Sequence, residues 1–199
     1  MPVLIEKEYV RSRLAGFRWA PTEMELPLYV HPPGSDPVEA AVLVLFVNGN
    51  NGRSLLLTKR TEHLPNHAGQ ISFPGGKAEQ RDLSREMTAL RETFEEVGIP
   101  QDKVEVLGRL PDYDIPSGYR VTPIVGWMER PITYHPDEGE VESIIELPLE
   151  FLLDLTNFER GSIEREGRPR YFYKINYQDN NIWGATAGMI FSLRKALID

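Results

Sequence analysis

The chain has 199 residues, of which 41% are hydrophobic, and this is enough to bury the core of one domain with additions. Its formal net charge of −8 argues against a general nucleic-acid-binding protein, which would carry a basic stripe. The lack of cysteine excludes disulfide bonds, thiolate zinc sites and thiol nucleophiles. No apolar run approaches the roughly 20 residues of a membrane-spanning helix, and Glu6, Lys7 and Glu8 interrupt the apolar start. We therefore predict a cytoplasmic protein without a signal peptide.

Residues 1–35 are predicted to form a helical extension and a connector. The segment from Leu4 to Leu14 places charged residues among apolar ones, which is typical of a short surface helix. The Pro-rich and Gly-rich stretch from His31 to Pro37 is typical of a linker. Residues 36–199 would then form the main domain.

Strand-like and helical segments follow one another through this domain. The apolar run from Val38 to Val47 predicts a buried strand, and Ser54 to Lys59 predicts its hairpin partner across a turn of Asn and Gly residues, 48–52. Further strands are predicted at Val104–Leu107, Val121–Trp127, Glu142–Leu147 and Tyr171–Tyr177, and helices at Glu150–Leu155 and Ala185–Ala196. Together with one long helix before Gly98, these elements predict a mixed α/β sandwich.

Three glutamates on that long helix are the most informative residues of the chain. Helical periodicity gathers Glu92, Glu95 and Glu96 on the side opposite an apolar stripe. The stripe consists of Leu83, Met87, Leu90, Phe94 and Val97. Like charges four residues apart destabilise a helix unless a cation neutralises them, and hard carboxylate oxygens favour Mg²⁺ or Mn²⁺. The alternative is an ordinary solvated acidic face.

The segment around this helix resembles the Nudix box of the MutT-like pyrophosphohydrolases. Phe73-Pro74-Gly75-Gly76 opens a loop in which glycine allows close backbone approaches, and Gly98 is typical of a helix end. Gly76 occupies the first position of the box, and residues 91–99 supply its second half. Asp82 stands where the family usually has Glu, and eight residues rather than seven separate it from Arg91. Thr93 replaces the usual apolar residue.

The stretch from Leu55 to Lys77 is similar to the signature of the coenzyme A diphosphatase branch, which also shows Asp for Glu and the longer spacing. Ile115–Gly126 and Ile182–Ile190 look like that branch as well. The resemblance implies an α/β/α Nudix sandwich with a mixed sheet and a catalytic loop and helix, and it suggests a homodimer. It also implies hydrolysis of coenzyme A with Mg²⁺ or Mn²⁺. ADP-ribose, NADH or another nucleoside diphosphate derivative is an alternative substrate, and a non-catalytic ligand-sensing or protein-binding module is an alternative of another class.

The same resemblance implies roles for the residues of the box. Glu92 and Glu96 would be the primary metal ligands, Glu95 a further ligand, and Arg91 would orient the glutamates through an ion pair. An ordinary surface arginine is the alternative for Arg91.

One more carboxylate from a distant loop commonly acts as a ligand or general base in such enzymes. The segment from His135 to Pro148 offers Glu138, Glu140 and Glu142. Glu140 is the preferred candidate because it comes just before a predicted strand. A solvated acidic loop is the alternative for each of the three.

A cluster of cations and imidazoles lies just before the glycine loop. It suits the phosphates of a large nucleotide and consists of Lys59, Arg60, His63 and His67. We expect these four residues, with Gly75 and Gly76, to contact the substrate. The alternative is that Lys59 and Arg60 only end an exposed strand.

Overall fold

A computed structural model of the protein describes residues 5–19, 29–49, 52–165 and 168–198. Strands β1 (Val38–Gly49) and β2 (Gly52–Arg60) form the predicted antiparallel hairpin, although Asn50 and Asn51 of its turn lie outside the described residues. Strand β7 (Tyr119–Glu129) runs parallel to β1 on its other side. Five strands join antiparallel to these three: β3 (Ile71–Ser72), β4 (Gly75–Lys77), β5 (Glu105–Arg109), β6 (Tyr113–Ile115) and β8 (Val141–Pro148). The result is a mixed sheet.

Helices cover both faces of this sheet. They are α1 (Lys7–Leu14), α2 (Arg85–Val97), α3 (Leu149–Leu153) and α4 (Gly184–Ile198). A second antiparallel sheet comprises β9 (Phe158–Arg165), β10 (Arg168–Tyr177) and β11 (Asn180–Trp183). The predicted mixed α/β sandwich with an N-terminal helix is confirmed. Leu4, where that helix was expected to begin, lies outside the described residues.

The alternation of β1 divides the interior into two cores. Its buried residues Leu43 and Leu45 pack in the core beneath α2, whereas Val44 and Phe46 pack in the core that contains α1, α3 and α4. Val10 of α1 is buried in that second core. The boundary near residue 36 stays a prediction. No helix of the described residues is both long and apolar enough to cross a membrane.

The apolar stripe predicted on α2 is buried only in part. Val97 is fully buried and Leu90 packs against the core beneath α2, whereas the other three residues are exposed. The exposed fractions are 87% at Leu83, 41% at Met87 and 51% at Phe94. The side that meets the sheet carries Ala89 and Thr93, both fully buried, and the Thr93 hydroxyl donates to the Ala89 carbonyl at 2.7 Å. These small side chains let the helix lie close to the sheet. Glu96 lies on the same side of the helix as Ala89 and Thr93, and it is only 6% exposed.

Candidate active site

Local signals at both ends of α2 set the position of its glutamates. The Ser84 hydroxyl accepts a hydrogen bond from the Met87 amide at 3.3 Å and caps the first turn. Gly98 ends the helix in the left-handed conformation, and its amide donates to the Phe94 carbonyl. The predicted helix end is therefore confirmed, and residues 91–96 lie beside the glycine loop.

Glu96 is a buried carboxylate with little positive charge around it. Its Oε2 accepts a hydrogen bond from the Gly75 amide at 3.3 Å, and its Oε1 lies 3.9 Å from Nη1 of Arg60. Burial raises the pKa of Glu96 to about 8, and the nearby charges of Glu140 and Glu92 act in the same direction. A nearby cation would therefore stabilise the charged form of the Glu96 carboxylate.

Glu92 lies against the backbone of the glycine loop. A Cβ atom at Gly76 would come within 2.5 Å of Oε2 of Glu92, so a larger residue at this position would displace the carboxylate. Burial raises the pKa of Glu92, and the charges of Glu95 and Glu140 raise it further, whereas the bond from Arg91 lowers it. Glu92 and Glu96 therefore lie in one environment that has too little positive charge to balance both carboxylates.

Of the three acidic candidates in the loop before β8 and at the start of that strand, the structure brings Glu140 to this pair. Its charge raises the pKa of both Glu92 and Glu96. The Glu140 carbonyl accepts a hydrogen bond from the Thr61 amide at 3.0 Å, which ties its loop to the end of β2. Glu142 instead pairs with Lys59 at 2.7 Å, and Glu138 is exposed.

Arg91 joins four groups on this side of the helix. Its Nε and Nη2 donate to the two carboxylate oxygens of Asp82 at 3.0 and 2.9 Å. Its Nη1 donates to Glu92 at 2.7 Å and to Glu95 at 3.0 Å, and its Nη2 also reaches the Lys77 carbonyl. The two-pronged contact with Arg91 holds the pKa of Asp82 well below its usual range. Asp82 is therefore the partner that fixes Arg91, which in turn holds Glu92.

Glu95 differs from the other two glutamates of the box. It is bonded by Arg91 and lies 3.4 Å from Nη2 of Arg81, and its side chain is 48% exposed. Sequence reasoning missed Arg81, which also pairs with Glu79 at 2.7 Å. The alternation of charges over residues 79–82 is the sequence signal that could have indicated this pairing. The role of Glu95 as a metal ligand stays a prediction.

The predicted substrate-binding cluster is divided by the alternation of β2. Arg60 lies on the side of the glutamates, and its buried Nε has no acceptor among the described residues. Lys59 lies on the other face and pairs with Glu142, so the structure does not bring it to the glutamates. His63 and His67 are exposed in the loop between β2 and β3, where His67 contacts Gln70 at 2.8 Å.

The carboxylates of Glu92, Glu96 and Glu140 fit a divalent cation. The observation that supports this is Glu96, a buried carboxylate whose pKa is raised because the charged form is poorly compensated. A hard cation with oxygen ligands is the group that removes this deficit. Within the described ranges, no three acidic or imidazole side chains already converge on one point, so the fit rests on charge and burial.

A pocket of about 880 Å³ lies at the opposite end of β1 and β2, away from these glutamates. Both arginines of its lining are paired with glutamates, because Arg130 bonds Glu146 and Arg53 lies 2.7 Å from Glu6. The carboxylates that could bind a cation therefore do not lie in this larger cavity.

Residues 37–161 match the family model described as the NUDIX domain. The uncharacterized Nudix hydrolase NudL of Pectobacterium atrosepticum is 42% identical over 172 residues, which cover 84% of this chain and 89% of that protein. NudL of Yersinia enterocolitica, also uncharacterized, is 47% identical over 142 residues, or 71% of this chain and 73% of that protein.

The fold is also similar to that of solved structures. The crystal structure of a MutT/nudix family protein from Enterococcus faecalis gives a TM-score of 0.50 at 19% identity, over 86% of this chain and 64% of that chain. Hydrolases of this kind generally use divalent metal ions, which agrees with the charge deficit at Glu96. The family match covers more than half of the chain and includes α2 and the glycine loop. The chain therefore belongs to the Nudix hydrolase family.

Proposed function

We propose that the protein hydrolyses the pyrophosphate bond of coenzyme A or its derivatives. The products would be adenosine 3′,5′-bisphosphate and 4′-phosphopantetheine or its acyl derivative. The observation that carries the proposed chemistry is Glu96, a buried carboxylate beside Glu92 and Glu140 at the edge of the glycine loop. The coenzyme A assignment is supported by the signature from Leu55 to Lys77, in which Arg60 lies 3.9 Å from Glu96.

Hydrolysis of a pyrophosphate requires positive charge and an aligned water molecule, because the phosphate oxygens repel a nucleophile. Glu92 and Glu96 would hold Mg²⁺ or Mn²⁺, with Glu95 as a further ligand. Such ions supply charge that offsets the phosphate oxygens, and they lower the pKa of water. Arg60 would donate to a phosphate oxygen through its guanidinium group, and Gly76 leaves room for the carboxylate of Glu92 beside the loop.

Glu140 would accept the proton of the attacking water at its carboxylate. The water oxygen forms a bond to one phosphorus, and the bond from that phosphorus to the bridging oxygen breaks. The bridging oxygen leaves on the other phosphate. Glu140 suits this step because it is exposed to solvent and still acts electrostatically on Glu92 and Glu96.

Replacing Glu140 by Gln should lower kcat by about ten- to a thousandfold, because the amide cannot take up the proton. Steady-state rates at saturating substrate and metal would measure this effect. Glu138→Gln is the matched control, since Glu138 is exposed in the same loop, and its kcat should stay close to that of the wild type. Equal effects of the two substitutions would show that Glu140 has no special role.

The substrate assignment is tested by incubating the protein with coenzyme A, acyl-coenzyme A, ADP-ribose and NADH. Each would be tested with Mg²⁺, Mn²⁺ or EDTA, and the products separated. We expect the highest kcat/KM for coenzyme A or an acyl derivative, and no turnover in EDTA. A clear preference for ADP-ribose or NADH would leave the reaction class intact and overturn the substrate. Turnover of none of the four would favour a non-catalytic binding module.

A further inference from the structure

An aromatic pair lies on the outer face of the second sheet. In β10, Tyr173 and Ile175 are buried in the core of α4, so Phe172 and Lys174 lie on the opposite face. Trp183 of β11 is opposite Lys174 in the register and therefore shares that face. The ring centroids of Phe172 and Trp183 are 5.4 Å apart with the planes tilted by 59°, and Trp183 is 38% exposed.

The hydrogen bonding and packing of this pair are typical of a binding surface rather than of a packed core. The indole N–H of buried Trp127 donates to Glu129 at 2.7 Å, whereas that of Trp183 has no acceptor in the described part of the chain. Phe172 lies so close to the backbone of β9 that a Cβ atom at Gly161 would come within 2.5 Å of its Cε2. Phe172 is therefore held in place before any ligand arrives, which lowers the entropy lost on binding.

The second sheet is also attached to the edge of the main sheet that carries the glycine loop. Strand β11 packs against β3, and the Thr186 hydroxyl, three residues after Trp183, donates to the Ile71 carbonyl at 3.0 Å. From Ile71 the chain reaches Gly75, which bonds Glu96, in only four residues. Strand β11, which carries Trp183, is therefore adjacent to the strand that leads into the glycine loop of the candidate active site.

We propose that Phe172 and Trp183 form a subsite for the adenine base of the substrate. The subsite rests on the proposed function, in which the substrate is coenzyme A and therefore contains an adenine nucleotide. Every nucleobase has a π face that stacks on aromatic side chains. Arg170 and Lys174 lie two residues to either side of Phe172 on the same face of β10, where cations suit the phosphates attached to an adenosine.

The test compares Trp183→Ala and Trp183→Phe with Tyr171→Ala. Tyr171 is a matched control because it is an exposed aromatic residue of β10 on the opposite face. Trp183→Ala should raise KM for coenzyme A by about tenfold or more with little change in kcat, as expected for the loss of one stacked base. Trp183→Phe should keep most of the affinity, and Tyr171→Ala should keep all of it.

Direct binding gives a second measurement that needs no turnover. Titration with adenosine 3′,5′-bisphosphate should quench tryptophan fluorescence in the wild type and much less in Trp183→Phe. Trp183→Ala should weaken the affinity for this nucleotide and leave that for 4′-phosphopantetheine unchanged. Equal weakening for both ligands, or unchanged affinity for both, would overturn the subsite.

The outcomes also separate this subsite from the proposed function. If coenzyme A is hydrolysed equally well by the wild type and Trp183→Ala, the subsite is wrong and the proposed function stands. If the wild type hydrolyses no coenzyme A but the bisphosphate quenches Trp183, the proposed function is wrong and the base-binding subsite stands.

Discussion

Glu96→Gln should lower kcat by at least about a hundredfold and at the same time make the metal-free protein more stable. Activity falls because the substitution removes ligand charge beside Glu92 without removing core volume. Stability rises because the buried carboxylate costs free energy in its charged form, whereas a neutral amide of the same shape does not. Rates of hydrolysis and thermal or urea unfolding in EDTA would measure the two effects on the same samples.

The pH dependence of this stability gain has a definite sign. The pKa of Glu96 is about 8 in the folded protein and near 4.5 in an unfolded chain. The metal-free wild type should therefore lose stability as pH rises from about 4.5 to 8, whereas Glu96→Gln should not show this loss. At pH 7 the difference should be on the order of 2–3 kcal/mol in favour of the variant.

Added Mg²⁺ or Mn²⁺ should reverse the order, because a cation that binds only the folded state raises the Tm of the wild type. Glu138→Gln controls for the loss of an exposed carboxylate and should change neither activity nor the pH profile. Activity close to that of the wild type in Glu96→Gln would rule out its role as a ligand. An unchanged stability profile would contradict the charge deficit at this site.

The strands and helices that the sequence predicts best are those with a strong local pattern. The unbroken apolar run of β1 needs burial on both faces, and the Asn and Gly residues after it favour a hairpin. Strand β9 was missed because its segment is charged and contains Gly161, so its pairing with β10 depends on tertiary contacts. Strands β3 and β4 are too short to give a periodic signal.

The orientation of α2 shows a limit of periodicity. Leu83, Met87 and Phe94 of the predicted apolar stripe are exposed, whereas Ala89 and Thr93 meet the sheet. Hydrophobicity alone would place the larger side chains against the sheet, but small ones occupy that side of the helix. Local spacing could therefore predict that the glutamates share a side, but not that Glu96 is buried.

For the site residues too, local sequence patterns predict one part of the arrangement and tertiary contacts decide the rest. The spacing of residues 91–96 was enough to group the glutamates, and the position of Glu140 before β8 was enough to select it for testing. The opposite directions of Lys59 and Arg60 depend on which face of β2 meets α2. The pairing of Asp82 with Arg91 depends on how the loop before α2 folds back, which no local pattern encodes.

Arg91→Ala should destabilise the protein by about 3 kcal/mol or more and also reduce turnover strongly. The substitution leaves Asp82, whose side chain is 3% exposed, without its cation, and breaking a buried ion pair by removing one partner is costly. It also frees Glu92, which Arg91 holds at 2.7 Å. Urea unfolding at pH 7 and kcat at saturating metal would measure both losses. Arg91→Lys should recover only part of them, because one ammonium group cannot make the two-pronged contact.

The controls separate this pair from ordinary surface charge. Arg85→Ala removes an arginine of the same helix that pairs with Glu39 at 3.1 Å on the surface, and it should cost less than about 1 kcal/mol. Asp82→Asn combined with Arg91→Ala should be less destabilising than the sum of the single changes, because both remove the same interaction.

The stability of the protein at low pH should also depend on the pair of Asp82 and Arg91. Since the pKa of Asp82 is lowered on folding, its contribution to stability is present above about pH 4 and is lost as pH falls towards the folded value. Asp82→Asn should therefore flatten the decline in stability between about pH 4 and pH 2. If Arg91→Ala were no more destabilising than Arg85→Ala and the acid profile of Asp82→Asn matched the wild type, Asp82 would not be the residue that fixes Arg91. The orientation of Glu92 would then have to come from its contact with the glycine loop alone.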